Sequence, residues 1–231
     1  KRWADISQAK DDARGYSFPW HSVKGDVRLE GVPPQPLSFE LDRGRLLDLL
    51  VGHTIYNDPT VAIRELVQNS IDAVRYQYYL DTKRRTEEPE AQMAMGNITV
   101  QWQSRERIFT ITDTGTGMDR DIIHYHLMRV GSSFYDTARF RDENHGFTPI
   151  SRFGIGILTC FMVSDDIEIV TCRDGKGHRI RMTSVGAEYL LRELADGDAK
   201  LKGIEPHGTR VILRIRDTID LSERSIRDIL R

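Results

Sequence analysis

The sequence predicts a mixed α/β fold, and three parts of the chain support this prediction. The stretch IRELVQNSIDAVRYQ, residues 63–77, has the 3.6-residue period of an amphipathic helix. The segments ITVQW and RIFTITD, joined by QSRE, are typical of a β-hairpin. From DIEIVTC onwards the chain is rich in segments that favour strands. We therefore expect helices to pack against a sheet around a shared core.

Composition and charge argue against several classes of protein. The 231 residues are 39% hydrophobic and 29% charged, which suits a soluble globular chain with one large core or two modest ones. The formal net charge of −2 gives no general reason to expect binding to nucleic acid or to an acidic membrane surface. The longest apolar run, IGILTCFMV, has nine residues and is too short to span a bilayer.

The cysteine content favours a cytoplasmic protein. Cys160 and Cys172 lie in apolar segments and are typical of buried reduced thiols, with a disulfide or metal role less favoured. No signal-peptide pattern opens the chain.

The ends of the chain suggest a piece of a longer protein. The chain starts at Lys1 without a methionine and ends at Arg231 inside an apparent helix that starts near Ser222. The Pro-rich GVPPQP marks the end of residues 1–35, which we expect to be an N-terminal extension or the end of a preceding segment. Residues 36–231 are expected to form one domain.

The first elements of that domain follow from periodicity and capping. PLSFELD favours a short strand, and RGRLLDLLVGHTIY favours a helix with a stripe of leucines. Asp58 and Pro59 suit the N-cap and first turn of the next helix. The polar TKRRTEEPEAQMAMGN, residues 82–97, is expected to form a loop.

The polar face of the helix at 63–77 is unusual for a surface that meets water. It carries Glu65, Gln68, Asn69 and Asp72. Asn and Asp inside a helix each cost roughly half a kcal/mol relative to Ala, whereas Lys, Arg and Glu are better helix formers. This choice of residues raises the question of what the polar stripe faces.

The motif DTGTGM, residues 113–118, directly follows the second strand of the hairpin. Asp113 shares its strand face with Phe109 and Ile111, so its carboxylate should point toward the core. A buried carboxylate needs a hydrogen-bond donor, which a ligand amine would supply, and Gly115 and Gly117 allow close approach of the backbone. A plain strand that ends in an Asp-Gly turn explains the motif equally well.

Two further features follow along the chain. DIIHYHLMRV favours a helix capped by Asp119 and ended by Gly131. Residues 131–153 form a long polar stretch, which inside a compact domain is often a lid. In RFGIGILTCFMVSD, Gly154 and Gly156 open an apolar helix, an arrangement that suits phosphate binding but more often serves packing.

The last part of the chain predicts a run of strands: DIEIVTC, HRIRMTSV, a less regular segment at 189–194, and GTRVILRIR. In the final strand, Val211, Leu213 and Ile215 alternate with arginines at 210, 214 and 216. The arginines are most simply a solvated face, and nucleic-acid contact is the minority alternative.

Four of these patterns follow one another in a fixed order: E-x-x-x-N-x-x-D on a helix, D-x-G-x-G-M, F-G-x-G before a helix, and G-T before a strand. Together they resemble the GHKL ATPase superfamily, which shares the Bergerat ATP-binding fold, and within it the N-terminal domain of the ninety-kilodalton heat-shock chaperones. The resemblance covers roughly Pro36 to the C-terminus. It implies a two-layer α/β (α+β) sandwich with a mixed, mostly antiparallel sheet covered on one face by helices.

The resemblance also implies roles for individual residues, with the polar stripe facing Mg-nucleotide. Glu65 would polarise the attacking water, Asn69 would give its amide oxygen to Mg²⁺, and Asp113 would accept from the adenine amine. Met118 would lie against the adenine ring, and the lid at 131–153 would close over the phosphates. The remaining implied nucleotide-binding residues are Asp72, Ala73, Gly115, Gly117, Gly154, Ile155, Gly156 and Thr209.

The chain also departs from the family pattern. His124 and Tyr125 stand where the chaperones carry paired asparagines, and Gly131, Ser132 and Ser133 replace a Lys-Ser-Gly at the lid. The family's catalytic arginine comes from a following domain outside this chain. We therefore expect ATP binding with slow turnover.

Three functional classes are compatible with these patterns. The first is a chaperone-like ATPase module whose nucleotide state drives rearrangement of neighbouring domains, with a homodimer and a protein client as compatible partners. The second is the ATPase module of a mismatch-repair or gyrase-like protein, which the neutral overall charge disfavours. The third is a nucleotide-binding interaction module without hydrolysis, which would not require Glu65.

Overall fold

The computed structural model describes residues 58–87, 96–129, 133–144, 146–151, 156–183 and 189–230. The N-terminal extension at 1–35, the strand PLSFELD and the helix RGRLLDLLVGHTIY, all expected from the sequence, lie outside the described residues.

A 28-residue helix, α1 (Thr60–Glu87), opens the described part of the chain. The Asp58 carboxylate accepts a hydrogen bond from the backbone N–H of Thr60 at 2.9 Å, so the predicted N-cap is confirmed. The prediction of a loop from residue 82 is wrong for 82–87, where the helix continues. Lysine, arginine and glutamate are good helix formers there, and the Thr82 hydroxyl donates to the carbonyl of Tyr78 at 2.8 Å.

Six strands form one sheet in the described residues, and each pair of neighbours is antiparallel. The spatial order is β1-β2-β6-β3-β4-β5. The predicted hairpin and the predicted later strands are confirmed. The strands are β1 (Ile98–Gln103), β2 (Ile108–Asp113), β3 (Ser164–Arg173), β4 (Lys176–Met182), β5 (Tyr189–Leu194) and β6 (Gly208–Ile215).

The register of the three central strands brings polar side chains together at one end of the sheet. Asp113 on β2 is paired with Thr209 on β6, and Thr209 is paired with Thr171 on β3. A carboxylate and two hydroxyls from distant parts of the sequence therefore lie side by side.

Shorter helices complete the described fold. They are α2 (Arg120–Ile122), which passes into a π-helical turn (Ile123–Leu127), a 3₁₀ turn (Phe134–Asp136), α3 (Ala138–Glu143), α4 (Gly156–Cys160), a second 3₁₀ turn (Ala199–Leu201) and α5 (Glu223–Ile229). Asp119 caps α2 by accepting from the backbone N–H of Ile122 at 2.8 Å, as predicted. The prediction of a regular α-helix after Asp119 is wrong from Ile123 onwards. The π turn there adds one residue and changes which side chains face the core.

The core lies between one face of the sheet and the helices that cover it. Val211, Leu213 and Ile215 are buried in it, as predicted. Arg210 on β6 and Arg216 directly after it do more than form a solvated face. Arg210 donates to the carbonyls of residues 200 and 202, at 3.0 and 2.6 Å. Arg216 donates to the carbonyls of residues 161 and 162 at 2.8 and 3.0 Å, so these two arginines fasten loops to the sheet.

Cys160 and Cys172 are both buried free thiols, as the sequence predicts. Within the described ranges, no helix is both long and apolar enough to cross a membrane.

Replacing Leu213 by alanine should lower the free energy of unfolding by about 3 kcal/mol, because this fully buried side chain would leave a cavity in the centre of the sheet. Urea denaturation measures the change. The matched control is Leu190→Ala, whose side chain is 72% exposed, and it should change the stability by less than about 0.5 kcal/mol. Equal losses in the two variants would contradict the assignment of the core.

Candidate functional site

A cavity of about 190 Å³ lies between α1, the polar end of the sheet and the segments after β2. Eight residues with functional roles implied by the sequence line it: Glu65, Asn69, Ala73, Asp113, Gly117, Met118, Gly156 and Thr209. Gly154 and Ile155 lie outside the described residues. The structure therefore brings most of the expected site together around one space.

Asp113 is the most buried acidic group in the cavity wall, with 4% of its surface exposed. One carboxylate oxygen accepts from the backbone N–H of Gly115 at 2.9 Å, and the other accepts from the Ser70 hydroxyl at 3.0 Å. Burial raises the pKa of Asp113 to about 6, while hydrogen bonds from Gly115, Ser70 and the Thr209 backbone oppose the rise. The group is therefore a carboxylate at neutral pH and ready to accept from a ligand.

Two threonines hold the backbone around this carboxylate. The hydroxyls of Thr171 and Thr209 lie 3.1 Å apart, and Thr171 accepts from the backbone N–H of Met118 at 2.8 Å. These contacts fix Met118 beside the strand ends, where its side chain can form part of the cavity wall.

Glycine is required at two positions of the DTGTGM motif. Gly117 has φ +62°, and a Cβ there would lie 1.8 Å from the carbonyl oxygen of Cys172. A Cβ on Gly115 would lie 2.4 Å from the Cβ of Ala73. The motif thus packs closely against both α1 and β3, and Gly115 serves this packing rather than lining the cavity.

Glu65 and Asn69 meet Gly156 at the other end of the cavity. A Cβ on Gly156 would lie 2.9 Å from Asn69 Nδ2 and 3.3 Å from Glu65 Oε2. Burial raises the pKa of Glu65, and the charge of Arg64 opposes the rise. A partly desolvated carboxylate is a better proton acceptor than an exposed one, so Glu65 has the character of a general base.

Asp72 has a different place from the one expected. It is fully buried, lies outside the cavity lining, and accepts from the backbone N–H groups of Ile150 and Ser151 at 2.7–2.9 Å. Arg75 lies 3.4 Å from the same carboxylate. Asp72 thus fastens the segment before α4 to α1 and has a structural role beside the cavity.

The π-helical turn decides which residues after Asp119 face the cavity. His126 and Leu127 line it, whereas His124 and Tyr125 are exposed on the outer side. The departures that the sequence places at His124 and Tyr125 therefore lie away from the cavity wall. Burial lowers the pKa of His126, which favours a neutral imidazole there.

An aromatic cluster adjoins the cavity, and none of the sequence patterns predicted it. Ring centroids of neighbours in the cluster lie 4.9–6.4 Å apart. Phe134 and Tyr135 reach the cavity itself. The repeated aromatic residues in FYDTARFRDENHGF were the feature of the sequence that could have predicted this cluster. The members of the cluster are Tyr76, Tyr79, Phe134, Tyr135, Phe140 and Phe147.

Comparison with known proteins gives a match in the same region. Residues 56–190 match the family described as histidine kinase-, DNA gyrase B- and HSP90-like ATPase. The chain is 31% identical over 186 residues to the chaperone protein HtpG of Clostridium botulinum (strain Loch Maree / Type A3), covering 79% of this chain and 28% of that protein. It is 30% identical over 192 residues to HtpG of Nitrobacter hamburgensis, covering 78% of this chain and 28% of that protein. The chain thus spans less than a third of the length of these relatives.

If ADP binds in this cavity with its amine on Asp113, its affinity should fall as the pH drops below about 6, because the protonated Asp113 carboxyl loses acceptor capacity. At pH 5 about a tenth of the molecules would carry the charged carboxylate, so Kd should be about tenfold higher than at pH 7.5. Calorimetric titration across this range measures the change. A Kd that stays constant from pH 7.5 to 5 would contradict the role of the carboxylate.

Proposed function

Because the chain belongs to the histidine kinase-, DNA gyrase B- and HSP90-like ATPase family, we propose that this cavity binds ATP and ADP and that the domain hydrolyses ATP slowly with Mg²⁺. The observation that carries the proposal is the buried Asp113 carboxylate, which faces the cavity at the end of β2. A buried carboxylate is costly unless donors surround it, and an adenine amine supplies one more donor.

The adenine lies, in this proposal, at the Asp113 end of the cavity. Asp113 accepts from the exocyclic amine, and Met118 and Ala73 contact the flat ring. Thr209 supports the base through water, since its hydroxyl already contacts Thr171. Gly117 lets the turn after Asp113 pack against β3 and so keeps Met118 beside the ring, because any side chain at position 117 would collide with β3.

The phosphates lie toward Glu65, Asn69 and Gly156. The described residues contain no group of three or more His, Cys, Asp or Glu side chains that could hold a metal ion. A single amide oxygen from Asn69 fits Mg²⁺, which in nucleotide sites takes few protein ligands and completes its shell with phosphate oxygens and water. When bound, the ion would neutralise charge on the phosphates. The backbone of Gly156 would approach the same phosphates.

Glu65 is the catalytic residue in this scheme. It would orient the attacking water and take its proton as the water oxygen bonds to the terminal phosphorus and ADP leaves. The raised pKa of Glu65 suits this role. Positioning and charge neutralisation supply the rest of the catalysis, and no covalent intermediate is involved.

The wider role that we propose is that of a chaperone-type ATPase module in the cytoplasm. Its support is the match to two proteins named chaperone protein HtpG. In this proposal residues 36–231 form the nucleotide-binding domain, 1–35 precede it, and 131–153 act as a lid. Nucleotide state would control neighbouring domains, a homodimer and a protein client.

Two substitutions separate binding from hydrolysis. Asp113→Asn should abolish ADP binding, because its amide nitrogen is a donor and would face the adenine amine, which is also a donor. The amide oxygen can still accept from the Gly115 N–H, so the turn should keep its structure. Glu65→Ala should keep the wild-type Kd for ADP and lose at least about 100-fold in turnover, within the range for a general base. Calorimetry and a phosphate-release assay measure the two effects.

Two outcomes would contradict these assignments. Unchanged ADP affinity in the Asp113 variant would reject the placement of the adenine. Unchanged turnover in the Glu65 variant would reject the general base. Far-UV circular dichroism of both variants controls for loss of the fold.

A further inference from the structure

We propose that Arg173 is an additional nucleotide-binding residue that contacts the nucleoside part of the ligand. The inference rests on the proposed nucleotide function of the same cavity. It adds a residue that none of the four sequence patterns contains, since Arg173 stands at the end of β3, between the F-G-x-G and G-T motifs.

The first observation is a buried donor without an acceptor. Arg173 lines the cavity, and its side chain is 21% exposed, but the Nη1 atom is buried and has no hydrogen-bond partner. Buried polar atoms in proteins are nearly always paired, and an unpaired charged donor is costly. Because the Arg173 side chain lines the cavity, we infer that the missing acceptor is on the ligand, which the shielded Nη1 atom would reach by a rotation of the guanidinium.

The neighbours of Arg173 hold the guanidinium in place without satisfying Nη1. Both nearby carboxylates approach Nε instead, Asp119 at 3.6 Å and Asp174 at 4.0 Å. The guanidinium carbon lies 5.9 Å from the centre of the Phe134 ring, which attracts the cation but offers no lone pair. The side chain is thus positioned from two sides while the Nη1 donor stays unpaired.

The place of Arg173 in the fold assigns it to the nucleoside rather than to the phosphates. The carbonyl of the preceding residue, Cys172, packs against Gly117, and Thr171 binds the backbone of Met118. Arg173 is therefore attached to the end of the cavity where Asp113 lies. Adenine nitrogens and ribose oxygens are neutral acceptors that suit a guanidinium N–H.

Arg173→Gln should weaken the binding of adenosine and of ADP by the same factor, about tenfold, as expected for the loss of a hydrogen bond from a charged donor. Calorimetric titration of the whole chain with each ligand measures it. Arg181→Gln is the matched control, because Arg181 lies on β4, outside the cavity lining, and pairs with Asp166 at 2.9 Å. This control should leave both Kd values unchanged.

A second variant separates ligand contact from a purely structural role. Asp119→Asn removes the carboxylate beside Nε but keeps a good helix cap, so it should change the affinity less than threefold. If Asp119→Asn weakens binding as much as Arg173→Gln does, the guanidinium acts only by holding Asp119, and the inference is rejected. If Arg173→Gln does not fold, Arg173→Lys takes its place, because lysine lacks the guanidinium fork and should also weaken binding.

The ligand series distinguishes failure of this inference from failure of the proposed function. Wild-type protein that binds neither adenosine nor ADP would reject both. Wild-type binding with an unchanged Kd in Arg173→Gln would reject only the role of Arg173. A loss confined to ADP would place Arg173 at the phosphates and would also overturn the inference.

Discussion

The site depends on keeping one carboxylate, Asp113, charged inside the protein. Its burial costs free energy, which shows as a pKa raised to about 6. The opposing hydrogen bonds come from three different elements: Ser70 on α1, Gly115 in the turn after β2, and Thr209 on β6. The same contacts that stabilise the carboxylate therefore join the helix, the turn and the sheet.

Helix α1 sets the length of the cavity. Glu65 lies at one end of it, Ala73 lies at the other and Asn69 lies midway between them, so the cavity extends along one face of the helix for about 12 Å at 1.5 Å per residue. A ligand with a flat polar ring at one end and an anionic group at the other suits this arrangement. This geometry also explains the polar stripe, since its glutamate and asparagine face a cavity rather than bulk water.

The sequence predicted the main elements of the fold because strand alternation, capping residues and turn glycines act locally. It could not predict the contribution of individual polar side chains to tertiary contacts. Asp72 has the spacing of a cavity residue but binds the backbone of a distant segment. The π turn places His126 in the cavity wall. The sequence could not predict this position, because a 3.6-residue period does not reveal one added residue. Arg173 carries no local pattern. Arg179 also has a buried unpaired nitrogen, so what distinguishes Arg173 is that its unpaired Nη1 belongs to a side chain in the cavity lining.

The placement of the adenine is tested most directly by the pKa of Asp113, measured by NMR from the chemical shift of its carboxyl carbon during a pH titration, with and without ADP. We predict a pKa of about 6 in the free protein and a clearly lower value with ADP, because the adenine amine would donate to the charged form. A pKa that ADP leaves unchanged, although ADP binds, would show that the adenine lies elsewhere.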